Sequence, residues 1–350
     1  MIGAGAVGLG TAWHLHQQGC AVSLFDPRLS EPVARVDQGL GLTGSTASLG
    51  VLMGHVFRRS SGRGWRMRQR SMALWPDWVD ALQSWEPRLR LHTPLVQVAD
   101  DAETFARMEA LAEQRGHLGL KTLEPGQLSL IWPGSGHGGL RSEHDGRVNP
   151  LLLQIALRKA LKASDVVCHP EAVDRLERQH RSWTVTTAGG RQSRHDTVVV
   201  CTALASEHLL APLEHQRPMT AVLGQAVQLK LNGGPDNWHD WPGVLVDQGF
   251  NLIPDGPGRL WLGATLEPGA DAMPEPFALM RSLNQRAPDW LREADVIEQW
   301  SGLRARPVDR PAPLLEILEP GLILATGHYR NGVLLTPATA EWVESCLHEA

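Results

Sequence analysis

The chain has 350 residues, enough for two domains with substantial cores, and its 42% hydrophobic and 20% charged residues are those of an ordinary soluble globular protein. A formal net charge of -5 argues against a general nucleic-acid binder. No apolar run approaches the roughly 20 residues needed to span a bilayer, and the scattered Cys20, Cys168, Cys201 and Cys346 indicate neither a zinc site nor a disulfide framework, so the expected setting is reducing and cytoplasmic, with no metal.

The first 26 residues, MIGAGAVGLGTAWHLHQQGCAVSLFD, organise the rest. Gly3, Gly5 and Gly8 make G-x-G-x-x-G: a tight strand-to-helix turn, close approach of a pyrophosphate to the backbone, and close packing of helix on sheet. The free N–H groups opening the helix, from Ala6 and Val7 onward, supply donors and a positive dipole end for phosphate. Ala12 and Leu15 fall on the sheet-facing side, Gly19 ends the helix in a left-handed cap, and AVSLF leads into a second strand. Asp26 sits where an acid accepts from an adenosine ribose. An ordinary glycine turn explains G-x-G-x-x-G alone; it does not explain the pattern continuing to Asp26. Only Met1 and Ile2 precede Gly3, so either upstream residues complete the first strand or that strand is unusually short. A signal peptide is not expected, because the N-terminus already belongs to the fold.

Residues 39–54, GLGLTGSTASLGVLMG, read as a buried loop whose small residues and hydroxyls lie against a ligand. The arginines at 58, 59, 63, 66, 68 and 70 read as a solvated helix face rather than a phosphate-binding strip. SMALWPDWVDALQSW has helical apolar spacing, LVQVAD (95–100) is a strand, and AETFARMEALAEQRGH is a helix closing toward Gly116. His137, Glu143, His144 and Asp145, in a Gly- and Pro-rich passage over 124–147, read as solvated loop residues rather than metal ligands. VNPLLLQIALRKALK is a helix with Pro150 near its start. Strands follow in DVVCHPEAVDRLERQ, SWTVTTA and DTVVVCTA.

From 216 to 303 short strands take over, with a hairpin turn at Asp255–Gly258 and one helix expected over PFALMRSLNQRAPDWL. EQWSGLRARP is the last strand of this block, and LEPGLILATGHYRNGVLLTPATAEWVESCL returns to strand, turn and helix. The expected fold is therefore α/β (α+β overall), with βα units at both ends and an antiparallel block inserted between them.

The opening fingerprint, RSMALWPDWVDAL, DGRVNPLLLQIALRKAL, RLWLGAT, SGLRARPVDRP and ATGHYRNGVLLTPATAEWV resemble, in order and over nearly the whole chain, the FAD-dependent D-amino-acid oxidase family, with the strongest similarity to ThiO-type glycine oxidases. The resemblance implies a Rossmann-like FAD-binding domain (1–85, 145–215 and 304–350) and an antiparallel substrate domain (86–144 and 216–303). It implies oxidation of a small amino acid or secondary amine by hydride transfer from Cα to flavin, with O2 as acceptor and a link to thiamine-thiazole biosynthesis. The flavin carries the hard step, so the protein must position Cα and hold the carboxylate. Arg304 falls where the family keeps its carboxylate-binding arginine, a task suited to a planar, permanently charged fork. Arg330 matches a second arginine near the pocket, and Asn251 stands where the family often has a Tyr that helps fix the carboxylate.

By the same resemblance, FAD is lined by Ser45, Thr46, Ala47 and Ser48, by Val173 at the adenine, and by Ala203. Arg304, Gly327, Tyr329, Arg330, Asn331, Gly332, Val333 and Leu334 would run beside the flavin, with a helix from about Thr336 adding its dipole. No Cys lies between 202 and 345, so FAD is expected to be non-covalent. Departures are Asn251, Leu266 in place of a common Met, and Ala203 where glycine gives room. The alternatives are an NAD-dependent dehydrogenase, disfavoured by the discontinuous layout and the GHYRNG motif, and a degenerate non-catalytic homologue. Partners expected are the amine substrate and O2; the oligomeric state, including a homo-oligomer, stays open.

Overall fold

The computed structural model describes residues 1–35, 42–133, 136–233 and 240–348; of the loop expected at 39–54, residues 39–41 lie outside them. Ile2 is the middle line of a parallel sheet, bridging Phe25 on one side and Val200 on the other. Outward from it, Ser23–Phe25 pairs parallel with Val167–His169, and Val198–Val200 pairs parallel with Leu322–Thr326. Leu314–Glu319 closes the second edge antiparallel.

Side-chain alternation along these strands gives each face its own core. Leu24, Val199, Ile323 and Ala325 point into a cluster with the helices Ala6–Gln17, Gly62–Gln83, Pro150–Lys162 and Thr336–His348. Ile2, Phe25, Val198, Val200, Leu322 and Leu324 point the other way, onto Val173, Leu176, Trp183 and Val185 of a three-stranded antiparallel sheet. Asn149 caps the helix at Pro150, its side chain accepting from the N–H of Leu151 at 3.0 Å. Helix Ala6–Gln17 ends as the sequence predicts, with Gly19 at φ +82°.

The second large element is a nine-stranded sheet. Its order is Glu267–Pro268, Met219–Lys230, Arg259–Gly263, Phe250–Pro254, Val244–Asp247, Leu95–Val98, Gly139–Ser142 and Leu120–Leu123, with Asp295–Pro307 also paired along Met219–Lys230. All pairings are antiparallel except Val244–Asp247 with Leu95–Val98. One face is sealed by Trp132, Trp241, Met280, Leu283 and Leu291; the other, with Ala226, Ile253, Trp261 and Trp300, meets Leu49 and Val56. The boundary expected between 303 and 304 falls inside the continuous strand Asp295–Pro307.

Three expectations need correction. The single helix over 276–291 is two short ones, Pro274–Arg281 and Asp289–Arg292, because Leu283, Asn284 and Gln285 all adopt positive φ and Pro288 stops any continuation. Asp145 is not solvated: it is fully buried, and its carboxylate accepts from the N–H groups of Gly54 (2.8 Å), His55 (2.9 Å) and Val56 (2.9 Å). Nor is the arginine run wholly a solvated face, since Arg68 is buried inside helix Gly62–Gln83.

Candidate active site

The glycine turn has the geometry its spacing implies. Gly3 sits at φ +100°, where a Cβ would lie 2.8 Å from the Cys201 carbonyl oxygen. A Cβ on Gly8 would lie 1.9 Å from the Gly3 oxygen, so only glycine lets the helix start this close to its own turn. Gly5 and Val7 then border a cavity of about 1490 Å3. Small-molecule pockets occupy roughly 300–1,000 Å3, so this one has room for a dinucleotide and a substrate together.

Asp26 lines the cavity, its carboxylate held by the N–H groups of Ala4 (2.7 Å) and Arg28 (2.8 Å), and Ala172 and Val173 lie alongside. The segment 43–48 forms a short helix, Gly44–Ala47, capped by Thr43, which accepts from Thr46 N–H at 3.0 Å. Ser45 accepts from Ala6 N–H at 2.8 Å, tying this segment to the glycine turn. The segment is fastened from behind by Trp300, whose Nε1 donates to Ala47 O at 2.9 Å, and by Arg35, whose Nη2 donates to Ser48 O at 3.2 Å. Arg35 lies between the rings of Trp261 and Trp300, 4.0 and 3.9 Å from their centroids, and burial pushes its pKa down to about 10.

The C-terminal motif makes the next wall. Gly327 (φ +62°) and Tyr329 (φ +55°) turn the chain so that residues 327–333 border the cavity, and helix Thr336–His348 starts just beyond. His328 is fixed behind them by Thr339 Oγ1 at 2.9 Å; burial holds its pKa down near 3, so it is neutral. Ala203 has φ +51°, so the glycine expected there serves backbone conformation as well as space.

At the far end Arg304 donates from Nη1 to Leu223 O (3.0 Å) and Thr265 O (3.2 Å) and packs flat on Gly224. It forms no ion pair with any described residue, and burial first, then nearby Arg330, lowers its pKa. Behind Thr265 a buried network holds the backbone still: Glu267 accepts from the Thr265 hydroxyl, from Gln225 Nε2 (3.0 Å) and from Met273 N–H (2.7 Å). Asn251 lines the same end, its amide donating to Gly263 O at 2.9 Å.

Most of the residues singled out from sequence therefore border one cavity: Gly3, Gly5, Val7, Asp26, Ser45, Ala47, Ser48, Val173, Ala203, Asn251, Arg304, Gly327 and the stretch Tyr329–Val333. Ala6, Gly8, Thr46 and Leu334 do not; Thr46 lies inside the short helix, its N–H donating to the capping Thr43, and Leu334 is buried with its carbonyl accepting from Trp75 Nε1 at 3.0 Å. Sequence reasoning missed Arg68, which lines the cavity and donates from Nη2 to Asn331 Oδ1 at 3.0 Å. Its signal was present: Trp65, Arg68, Met72, Trp75, Val79 and Leu82 recur at helical spacing, placing Arg68 on the buried stripe. The missing Cβ at Gly5, the carboxylate of Asp26 and the continuous cavity past Ala203 to Arg304 fit FAD.

Comparison with known proteins agrees. A glycine oxidase from Pseudomonas aeruginosa is 32% identical over 249 residues, 66% of this chain and 65% of that protein. A bifunctional ThiO/ThiG protein from Nostoc is 26% identical over 100% of this chain and 52% of its own. Matched stretches cover 65%, 53% and 33% of the lengths of three curated relatives, so the chain aligns with less than two thirds of each. The crystal structure of glycine oxidase from Geobacillus kaustophilus superposes with a TM-score of 0.83 at 21% identity, covering 99% of this chain and 93% of that one, which establishes the shared fold. The family model for FAD-dependent oxidoreductases (DAO) matches residues 1–345. With a cofactor-sized cavity behind the glycine turn and that match over nearly its full length, the chain belongs to the DAO family of FAD-dependent oxidoreductases.

Proposed function

We propose that this protein oxidises a small amino acid or secondary amine of the glycine, sarcosine or D-amino-acid type, with FAD held non-covalently and O2 as the electron acceptor. The observation that carries the reading is Arg304: a carboxylate-sized, unpaired guanidinium, rigidly held by two backbone carbonyls in the cavity that begins at the glycine turn. FAD supplies the two-electron acceptance. Gly3, Gly5, Val7 and Asp26 would hold its ADP half, Ser45, Ala47 and Ser48 its middle, and residues 327–333 its ring.

Arg304 receives the substrate carboxylate bidentately and so fixes where Cα points. Asn251 borders the same space, while Met53, Phe250, Ala264 and Leu266 give apolar walls that exclude water. The cations Arg304 and Arg330 disfavour a protonated substrate amine, so its proton leaves to solvent and the nitrogen lone pair is free when hydride departs from Cα. The resulting imine takes up water and splits to an amine and an oxo acid; the two electrons reach O2 as H2O2. A cytoplasmic role in thiamine-thiazole formation belongs to the same proposal, supported by the ThiO/ThiG relatives.

The test is direct. The purified chain is expected to carry a flavin absorption band and to release peroxide with at least one of glycine, sarcosine, D-alanine and L-proline. A flavin-loaded protein inert to all four, with oxygen or an artificial acceptor, overturns the reading.

A further inference from the structure

Beyond Arg304, the substrate end of the cavity has cationic groups that binding one carboxylate does not use. Arg68 is 8% exposed, projects from the buried stripe of its helix and lines the cavity. Its donors are only partly spent, on Gly64 O (3.3 Å) and Asn331 Oδ1 (3.0 Å), and its Nε has no partner. Burial, reinforced by Arg330, pushes its pKa down to about 10, and Arg330 also lowers the pKa of Arg304, so its charge is felt by both. The ring of Phe57 lies 3.8 Å from the Arg68 Cζ, and Arg58 and Arg59, which follow Phe57 in the chain, are exposed and line the cavity. Among the described residues no carboxylate forms an ion pair with any of these five arginines, although the charge of Glu267, behind Thr265, favours the charged form of Arg304. Like charges gathered around one cleft repel one another unless an anion lies among them.

We propose that the site takes an amino or imino acid bearing a second carboxylate, the first held by Arg304 and the second by the wall of Arg68 and Arg330, with Arg58 and Arg59 at the rim. This rests on the oxidase reading above and names its substrate class. Arg68 is fastened to Asn331, so the second anion also meets a fixed partner rather than a mobile side chain.

Two matched pairs of acids test it on the flavin-loaded full chain. Sarcosine and iminodiacetate differ by one carboxylate on the N-methyl carbon; butyrate and glutarate are their unreactive carbon analogues. Anaerobic flavin reduction at subsaturating concentration reads the first pair, and calorimetry reads binding of the second. Iminodiacetate is expected to exceed sarcosine, and glutarate to exceed butyrate, by about tenfold or more at low salt, with the excess shrinking near about 0.5 M salt. Arg68→Met should bring both ratios close to one, and the exposed pair Arg58→Gln with Arg59→Gln should lower them in part. Equal handling of both pairs by the wild type overturns the inference and leaves the oxidase reading standing. If no amine reduces the flavin, the oxidase reading fails, and the glutarate–butyrate comparison still decides the anion site. An Arg68→Met protein with altered sulfite affinity of the flavin but unchanged ratios assigns Arg68 to the cofactor and also overturns the inference.

Discussion

Gly224→Ala separates the placement of Arg304 from its presence. A Cβ built on Gly224 would lie 2.1 Å from Arg304 Nη2 and 2.4 Å from both Cζ and Nη1. Restoring ordinary contact, at about 3.5 Å, moves the guanidinium by about 1.3 Å. The atoms that must yield are the end of a flexible side chain facing a cavity, so the fold survives; the hydrogen bonds to Leu223 O and Thr265 O do not. A displacement of about 1 Å in a positioning group costs roughly a hundredfold in rate. Anaerobic flavin reduction by the best amine is therefore expected to slow by about one to two orders of magnitude, with flavin content and visible spectrum near wild type. Arg304→Ala should lose at least as much, since a charge-assisted contact of about 1.5–3 kcal/mol disappears. In that background Gly224→Ala should add almost nothing, the signature of two changes acting through one group. A Gly224→Ala enzyme that reduces its flavin at the wild-type rate, or losses that multiply in the double variant, would refute the assignment of Arg304 to the carboxylate.

Asp26→Ala removes the acceptor of the Ala4 and Arg28 N–H groups as well as the proposed ribose contact, so flavin is expected to be lost during gel filtration while the nine-stranded sheet keeps its circular dichroism; a full flavin complement would count against the ribose role. Ala203→Gly relieves a left-handed alanine and is expected to stabilise the protein by about 1 kcal/mol, read as a raised Tm with flavin retained; an unchanged or lower Tm would show that Ala203 is not strained. His328 has a folded pKa near 3 against 6.5 when free, so the unfolded chain binds its proton first: stability is fully present above pH 6.5 and declines as pH falls from there toward 3. His328→Gln should flatten that decline when Tm is compared between pH 7.5 and pH 5, and an identical slope in the variant would show that His328 does not contribute to it.

What could be read in the sequence were features in which one residue type answers a local backbone demand. Gly3, Gly8 and Gly327 each stand where a Cβ would strike backbone or a neighbouring side chain, so the requirement is written at the position itself. Strand alternation was similarly legible, because Val198–Val200 and Leu322–Thr326 must serve two cores at once. The residues that escaped depend on partners far along the chain. Asp145 looks like a loop acid until the N–H groups of residues 54–56 close over it. Arg35 shows nothing in its neighbourhood of the tryptophans at 261 and 300 that enclose it. Arg68 was hidden by its company, five other arginines within thirteen residues, although its phase in the helix set it apart. The break after Arg281 was hidden because the apolar spacing of 277–291 suits one helix as well as two short ones joined by left-handed residues.

On the proposed contact of segment 43–48 with FAD, its clamp is expected to make cofactor loading and the stability of the nine-stranded sheet a single equilibrium. Trp261 and Trp300 are strand residues of that sheet, yet through Arg35 and Ala47 O they grip the segment that borders the cofactor cavity. Any ligand that orders the segment thus adds its binding free energy to the sheet as well as to the parallel βα layer, by mass action. Unfolding of the loaded protein should then be one cooperative transition whose midpoint climbs with free FAD, whereas the stripped protein melts in stages, with the segment and the edge strand Asp295–Pro307 loosening first. On that expectation flavin would be as much a keystone of the fold as a reagent.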